Sequence, residues 1–394
     1  ACLVGSEMCI RDRVKEMITY NYKQILKISS PLILGMLIQV LVGITDTAFL
    51  GRVGEVELGA SAIAGILYLL IFMISQSFAV GSQIIMARRN GEKNYHRIAQ
   101  VLYQTLSFIF SFSVISIIFI YWLAPQILQN IVQSQLIFEA VLIYLFPRCW
   151  GLFFSGTKSA FRAFFVAITY TRQLLPAAII LLVSNFILDY WLIFGGWGID
   201  PMGLRGAAIA SVLAEGCAAG YLVVYTVWKI DLHKYGFYKF LLWSQSLFNE
   251  IFRLSIWIVV QNVLSWGVWL YFFIEIEKLG ENALAISNIL RSASSLPFIF
   301  ANALAMVTSS IVSNLIGAGR DFEVMPTAKR ILKLGTLPYY GCMILMALFP
   351  EFFLRIYTNN NEIIQQAVAP FYTMLITYLL ALPGICLLYT SDAA

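Results

Sequence analysis

SPLILGMLIQVLVGITDTAFL, Ser30–Leu50, carries a single charged side chain, Asp46, in 21 residues. A bilayer core about 30 Å thick takes roughly 20 apolar residues per helical crossing. The stretch therefore reads as one membrane-spanning helix, and similar runs recur along the chain between short charged segments. They fall near 31–50, 60–86, 99–123, 137–160, 173–194, 206–228, 250–274, 283–316, 331–349 and 363–385. At 394 residues, 60% hydrophobic and 12% charged, with mean hydropathy +0.80, the chain has too little polar surface to cover a water-soluble globule. The expected fold class is an all-α polytopic membrane protein, with about 10 crossings present and no sizeable soluble domain.

The distribution of Lys and Arg predicts orientation, because short cytoplasmic loops retain positive charge. One set of loops holds Lys23 and Lys27, Arg88 to Arg97, Lys158 to Arg172, Lys229 to Arg253 and Arg320 to Lys333; the other holds Arg52, Arg205, Lys278 and Arg355. The N-terminus is thus expected in the cytoplasm, in an inner or plasma membrane. The formal charge of +5 follows from this asymmetry and gives no reason to expect nucleic acid as a partner. Of six cysteines, Cys149, Cys217 and Cys342 sit inside apolar runs without metal-ligand spacing, as packing residues do. Cys2, Cys9 and Cys386 lie in terminal stretches, Ser6–Arg13 and Cys386–Ala394, that resemble translated sequencing-adapter sequence. Residues 1–13 and 386–394 are read as non-native tails, and the natural protein is expected to continue for two further helices.

The chain also resembles itself. IQVLVGITDTAFLGRVGEVELGASAIAGILYLL (Ile38–Leu70) is similar to VQNVLSWGVWLYFFIEIEKLGENALAISNILRS (Val260–Ser292), with Gln39 falling on Gln261. GSQIIMARRNGEKN (Gly81–Asn94) lies opposite TSSIVSNLIGAGRD (Thr308–Asp321). Two six-helix lobes related by a pseudo-two-fold along the membrane normal follow: an N-lobe at 14–228, a polar linker at 229–246 and a truncated C-lobe at 247–385. Gln39, Gln261, Asn262 and Arg291 are candidates to line the cleft between them.

Ionisable groups inside a crossing cost about 2.5–3.5 kcal/mol each on insertion scales, so they are functional candidates. They are Asp46, Arg148, Asp189, Glu215 and Arg291. Asp46 lies fifteen residues past Pro31 and Asp189 seventeen past Arg172, both in outward-running helices, so both sit at similar depth. Asn185, four residues before Asp189, shares its helix face. Burial and a second negative charge favour the protonated form of a carboxyl, so this trio suits a proton or a cation such as Na+. The bland alternative is that Asp46 caps a helix end and Asp189 pairs locally. Arg148 and Glu215 are expected to pair with each other. Lys158 and Arg162 are read as snorkelling to the cytoplasmic interface, and Glu139, Glu275 and Glu277 as solvated helix ends. Pro31 either begins its helix or, if the helix starts near Tyr22, forms a hinge.

The pattern of these residues resembles the multidrug and toxic compound extrusion (MATE) family, in the prokaryotic branch related to the DNA-damage-inducible protein F. The resemblance rests on SPLILGMLIQVLVGITDTAFLGRVG in the first helix, LDYWLIFGGWGIDPMGLRGAAIASVLAEG across the fifth and sixth, and SNLIGAGR after the eighth. It implies twelve helices and outward antiport of cationic or amphipathic small molecules against H+ or Na+, with no other cofactor. It implies coupling in the N-lobe at Asp46, Asn185 and Asp189, joined by Tyr144 and by Ser211 where threonine is usual, with Pro31 as the bending proline. Branches relying on a seventh-helix carboxylate are disfavoured, since VVQNVLSWG has none. A monomer among membrane lipids is expected.

Two rival readings of the sequence remain. A flippase for lipid-linked saccharide precursors would need several cations in the cleft to pair with diphosphate. An intramembrane enzyme would need a catalytic motif, but the crossings hold no His, and His96 and His233 fall in loops; the chain is read as not an enzyme.

Overall fold

The computed structural model describes residues 20–131, 134–196, 198–238, 243–277, 281–357 and 360–385. Both tails, with Cys2, Cys9 and Cys386, and also Lys239, Lys278 and the Glu277 side chain, lie outside the described residues. Among these residues the secondary structure is helical, with one isolated bridge between Gly196 and Ile199. In chain order the helices are α1 (Tyr22–Val53), α2 (Glu55–Gly91), α3 (His96–Trp122), α4 (Ala124–Ile131), α5 (Gln135–Arg148), α6 (Gly151–Ala167), α7 (Leu174–Phe194) and α8 (Gly203–Lys229). After them come α9 (Leu232–Tyr235), α10 (Gln245–Glu277), α11 (Glu281–Gly317), α12 (Val324–Leu348), α13 (Pro350–Arg355) and α14 (Asn361–Tyr378). Nine helices among the described residues are long and apolar enough to cross a membrane, ten if α5 and α6 count as one broken span.

The boundaries have local causes. Asn21 caps α1 by accepting from the Gln24 amide at 2.9 Å, while the Gln24 side chain accepts from the Asn21 amide at 3.2 Å. The helix thus begins nine residues ahead of Pro31, which resolves the earlier alternative: Pro31 is interior, where it removes a backbone donor. One turn from it, the Ile28 carbonyl accepts from the Thr171 hydroxyl at 2.7 Å. The crossing expected as one helix at 137–160 is instead bent by 48° between α5 and α6, around Pro147, Cys149 and Trp150. α7 turns into α8 through Gly195, Gly196, Gly198 and Gly203, all at positive φ, where the Trp191 indole donates to the Gly196 carbonyl at 2.7 Å. The long eighth run becomes α11, whose 37 residues span about 55 Å.

Lipid tails are as apolar as leucine, so helix association here rests on close packing and polar contacts. α8 illustrates this, burying Gly206, Ala207, Ala208, Ala210, Ala214 and Ala218. The molecule's outer surface is correspondingly greasy, with Ile66, Ile115 and Trp228 exposed.

α1, α2 and α5 to α8 pack on one another, as do α10, α11, α12 and α14. The two groups meet through α2 against α10 and α11, and α1 against α11 and α12. Their hydrogen bonds cluster at the end where α2 finishes: Gln83 Nε2 donates to the Met306 carbonyl at 3.3 Å, Asn90 Nδ2 to Asn314 Oδ1 at 2.6 Å, and Asn314 Nδ2 to the Ala167 carbonyl at 2.9 Å. Glycines permit this approach. A Cβ on Gly91 would sit 2.8 Å from the Asn314 carbonyl carbon, and one on Gly317 would sit 2.9 Å from that of Arg88.

Candidate functional site: buried carboxylates in the first eight helices

α1 and α7 pack side by side, and this contact brings Asp46 to Asn185 and Asp189. Asn185 and Asp189 are buried on one face of α7; Asp46 is half-buried. The trio is at hydrogen-bonding range, yet Asp46 Oδ1, both carboxylate oxygens of Asp189 and both polar atoms of the Asn185 amide have no partner in good geometry. Buried polar atoms are nearly always satisfied. Four orphaned oxygens facing one another are the donor set expected for a proton or a hard monovalent cation. Among the described residues, no group of three or more His, Cys, Asp or Glu side chains is placed to hold a metal ion.

Tyr144, on α5, is buried within electrostatic reach of Asp46, Asp189 and Arg148. Ser211, on α8, is buried but makes no side-chain hydrogen bond among the described residues.

Beside the carboxylates lies a second charged cluster. Arg148, the last residue of α5, grips Glu215 of α8 with two hydrogen bonds of 2.9 and 2.7 Å. Its guanidinium lies 3.8 Å from the centre of the Tyr68 ring. Tyr68 in turn shares a 3.0 Å hydrogen bond with Ser155 and donates to Glu215 at 3.4 Å. The cluster occupies the bend between α5 and α6, and Gly151 leaves room for it: a Cβ there would stand 2.8 Å from Glu215 Oε2. The pairing expected from sequence is therefore present. Tyr68 and Ser155 are not legible in the sequence, because neutral polar residues in apolar helices give no signal of their own.

The remaining candidates separate. Lys158 and Arg162 are half-buried. Their spacing of four sets them on one face of α6, and that face lines a small cavity of about 70 Å³ with Pro31 and Gln39 of α1. Gln39 thus shares this cavity with Pro31. Asn262 donates to Ser77 Oγ at 2.9 Å, joining α10 to α2, and Gln261 beside it is half-buried. Arg291 stands in the wall of a cavity of about 810 Å³ with Trp269, Phe272, Thr373 and Tyr378. Glu139 is exposed and accepts from Gln135 at 2.8 Å. Cys149, Cys217 and Cys342 are free thiols.

A helical bundle with this site invites comparison with known transporters, and the MatE family model matches residues 31–191 and 258–392. The chain belongs to the MATE family. Members are multidrug efflux transporters and not enzymes. The chain is 24% identical to a probable multidrug resistance protein NorM of Synechocystis sp., over 86% of this chain and 74% of that protein. A probable NorM of Thermotoga maritima is 25% identical over 90% and 76%. A crystal structure of a MATE protein in complex with MaD3S superimposes with a TM-score of 0.86 at 17% identity, covering 94% of this chain and 82% of that one. An outward-facing multidrug resistance MATE transporter gives the same TM-score, identity and coverage. These structural likenesses establish the MATE fold; residue roles rest on the chain's own geometry.

Proposed function

We propose that this chain exports organic cations or amphipathic molecules by antiport against H+ or Na+, with the coupling ion held by Asp46, Asn185 and Asp189. The observation that carries this is the orphaned polar set: two carboxylates and an amide, brought together from α1 and α7, facing one another without hydrogen bonds in good geometry. Such a set is costly when empty and is relieved by a proton or cation, so occupancy changes the balance between conformations. A ligand shifts that balance only by its different affinity for the two states. Tyr144 supplies a nearby hydroxyl, and Ser211 a further one on α8. The N-terminus and the basic loops face the cytoplasm of an inner or plasma membrane. The two helix groups act as lobes that alternately open, with α1 bending at Pro31. The aromatic and hydroxyl lining of the 810 Å³ cavity, with Arg291 as a cation in its wall, suits an amphipathic organic molecule better than a diphosphate.

The test is dye efflux from vesicles under separately imposed pH and Na+ gradients, comparing the parent protein with Asp46→Asn and Asp189→Asn. Loss of gradient-driven efflux in variants that still insert supports the assignment, and the effective gradient names the ion. Undiminished coupled efflux in both variants overturns it.

A further inference from the structure

The end of α2 and the start of α10 run side by side, and between them lies an open groove of about 560 Å³. Its mouth is basic. Arg88 comes from α2 and Arg253 from α10, with Asn249 and Ser246 as additional polar groups. Glu250 lies on the rim, where Arg89 bridges it at 3.3 Å to Glu92 at 3.0 Å, so three arginines meet two carboxylates and the mouth keeps a positive balance. Its inner wall is apolar: Ile84 from α2, and Leu254 with Trp257 from α10. Arg253 and Trp257 are four residues apart, which sets both on one face of α10, lining the groove. Trp257 is 70% exposed within a helix apolar enough to span the membrane.

We propose that this groove binds an anionic phospholipid of the leaflet that borders the Arg88 end, its phosphate between Arg88 and Arg253 and its acyl chains along Trp257 and Leu254. Each part of the groove answers to part of that ligand. Arginine pairs with phosphate oxygens through charge-assisted, geometrically defined bonds. Tryptophan settles at the level where headgroups meet chains. Basic pockets between membrane helices select anionic headgroups. A free phosphate ion would use the mouth alone and leave the apolar wall uncovered. Because one wall belongs to α2 and the other to α10, the lipid bridges the two helix groups where they are already joined by Arg89 and Glu250. This requires only that the helices cross a bilayer; it is independent of the transport direction and the coupling ion.

The experiment uses the purified protein in detergent with defined lipid added. Phosphatidylglycerol should raise the thermal midpoint more than phosphatidylcholine does, and Arg88→Gln/Arg253→Gln should lose that difference while keeping the response to phosphatidylcholine. Inorganic phosphate at equal concentration should give no rise. A second arm does not depend on the arginine variants: brominated phosphatidylglycerol should quench the Trp257 component, read as parent minus Trp257→Phe, at concentrations at least fivefold below brominated phosphatidylcholine. Equal stabilisation by both lipids, an increment reproduced by inorganic phosphate, an undiminished difference in the arginine variant, or equal quenching would each overturn the proposal.

Discussion

Adding one methyl group at Gly317 should open the end of the molecule where α2 and α11 meet. An alanine Cβ there would stand 2.9 Å from the Arg88 carbonyl carbon and 3.1 Å from its Cα, where ordinary contacts begin at 3.4 Å. The Arg88 carbonyl oxygen is nearer still, and backbone cannot rotate away as a side chain can, so the helices must part by about 1 Å or more. Overpacking of this kind costs about 1–3 kcal/mol, which shifts a two-state equilibrium by about 5- to 150-fold. Alanine also favours a helix over glycine by about 1 kcal/mol. That gain applies whether this end is closed or open and cancels from the equilibrium between them. Gly91→Ala presses on Asn314 from the other side, so the two variants should act in the same direction. Gly65→Ala, with nothing within 4 Å of the added carbon, serves as the control. Spin labels at Lys93 and Phe322, in a background without native cysteines, would report the separation by pulsed electron resonance. Gly317→Ala and Gly91→Ala should each deplete the short-distance population, and Gly65→Ala should not. An unchanged distribution in both gate variants would refute the claim that these glycines hold this end shut.

Three further outcomes follow from the charged clusters. Arg148→Met alone strands Glu215 as an unpaired buried charge and should cost about 3–5 kcal/mol, seen as a large fall in the thermal midpoint. Arg148→Met/Glu215→Leu should recover most of it, and a double variant no better than the single would show that the pair is not the cause. Tyr68→Phe keeps the ring beneath the guanidinium and loses the bonds to Ser155 and Glu215, so its cost should be nearer 1 kcal/mol in the same melt. Asn185→Leu removes an amide whose atoms lack partners; the protein should melt no lower than the parent while losing any thermal shift on adding Na+ or protons, and retention of that shift would exclude Asn185 from the site.

The sequence disclosed most of the fold because each crossing is a local fact: about 20 apolar residues announce themselves without reference to partners. Asp46 and Asp189 were legible for the same reason, since a carboxylate in such a run is conspicuous. The surroundings of Lys158 and Arg162 were not legible, because hydropathy gives depth alone. Which face of α6 they occupy, and that this face meets α1, depends on packing between distant segments. The bend at Cys149 and Trp150 had a signal in Pro147 and Gly151, but only the Arg148–Glu215 pair explains why a break is tolerated there. The Pro31 alternative turned on Asn21 and Gln24, ten and seven residues upstream, whose mutual capping moves the helix start and with it the meaning of the proline.

α1 is the element through which an ion at one level could be felt at another. It presents Asp46 to α7, and about 36 Å away along its axis its start lies beside the Tyr20 carbonyl, which accepts from Arg330 of α12 at 3.3 Å. Between these points sits Pro31, where the helix lacks one backbone bond. A change in the charge of the carboxylate set alters what α1 gains by staying against α7. Any resulting tilt concentrates at the weakest point of the helix. Pro31→Ala restores the missing donor and should leave α1 stiffer, so ion binding at Asp46 and Asp189 should persist while its effect on the Lys93–Phe322 distance diminishes. If ion addition still moves that distance fully in Pro31→Ala, then α1 carries the signal as a rigid rod and the proline has no mechanical part in it.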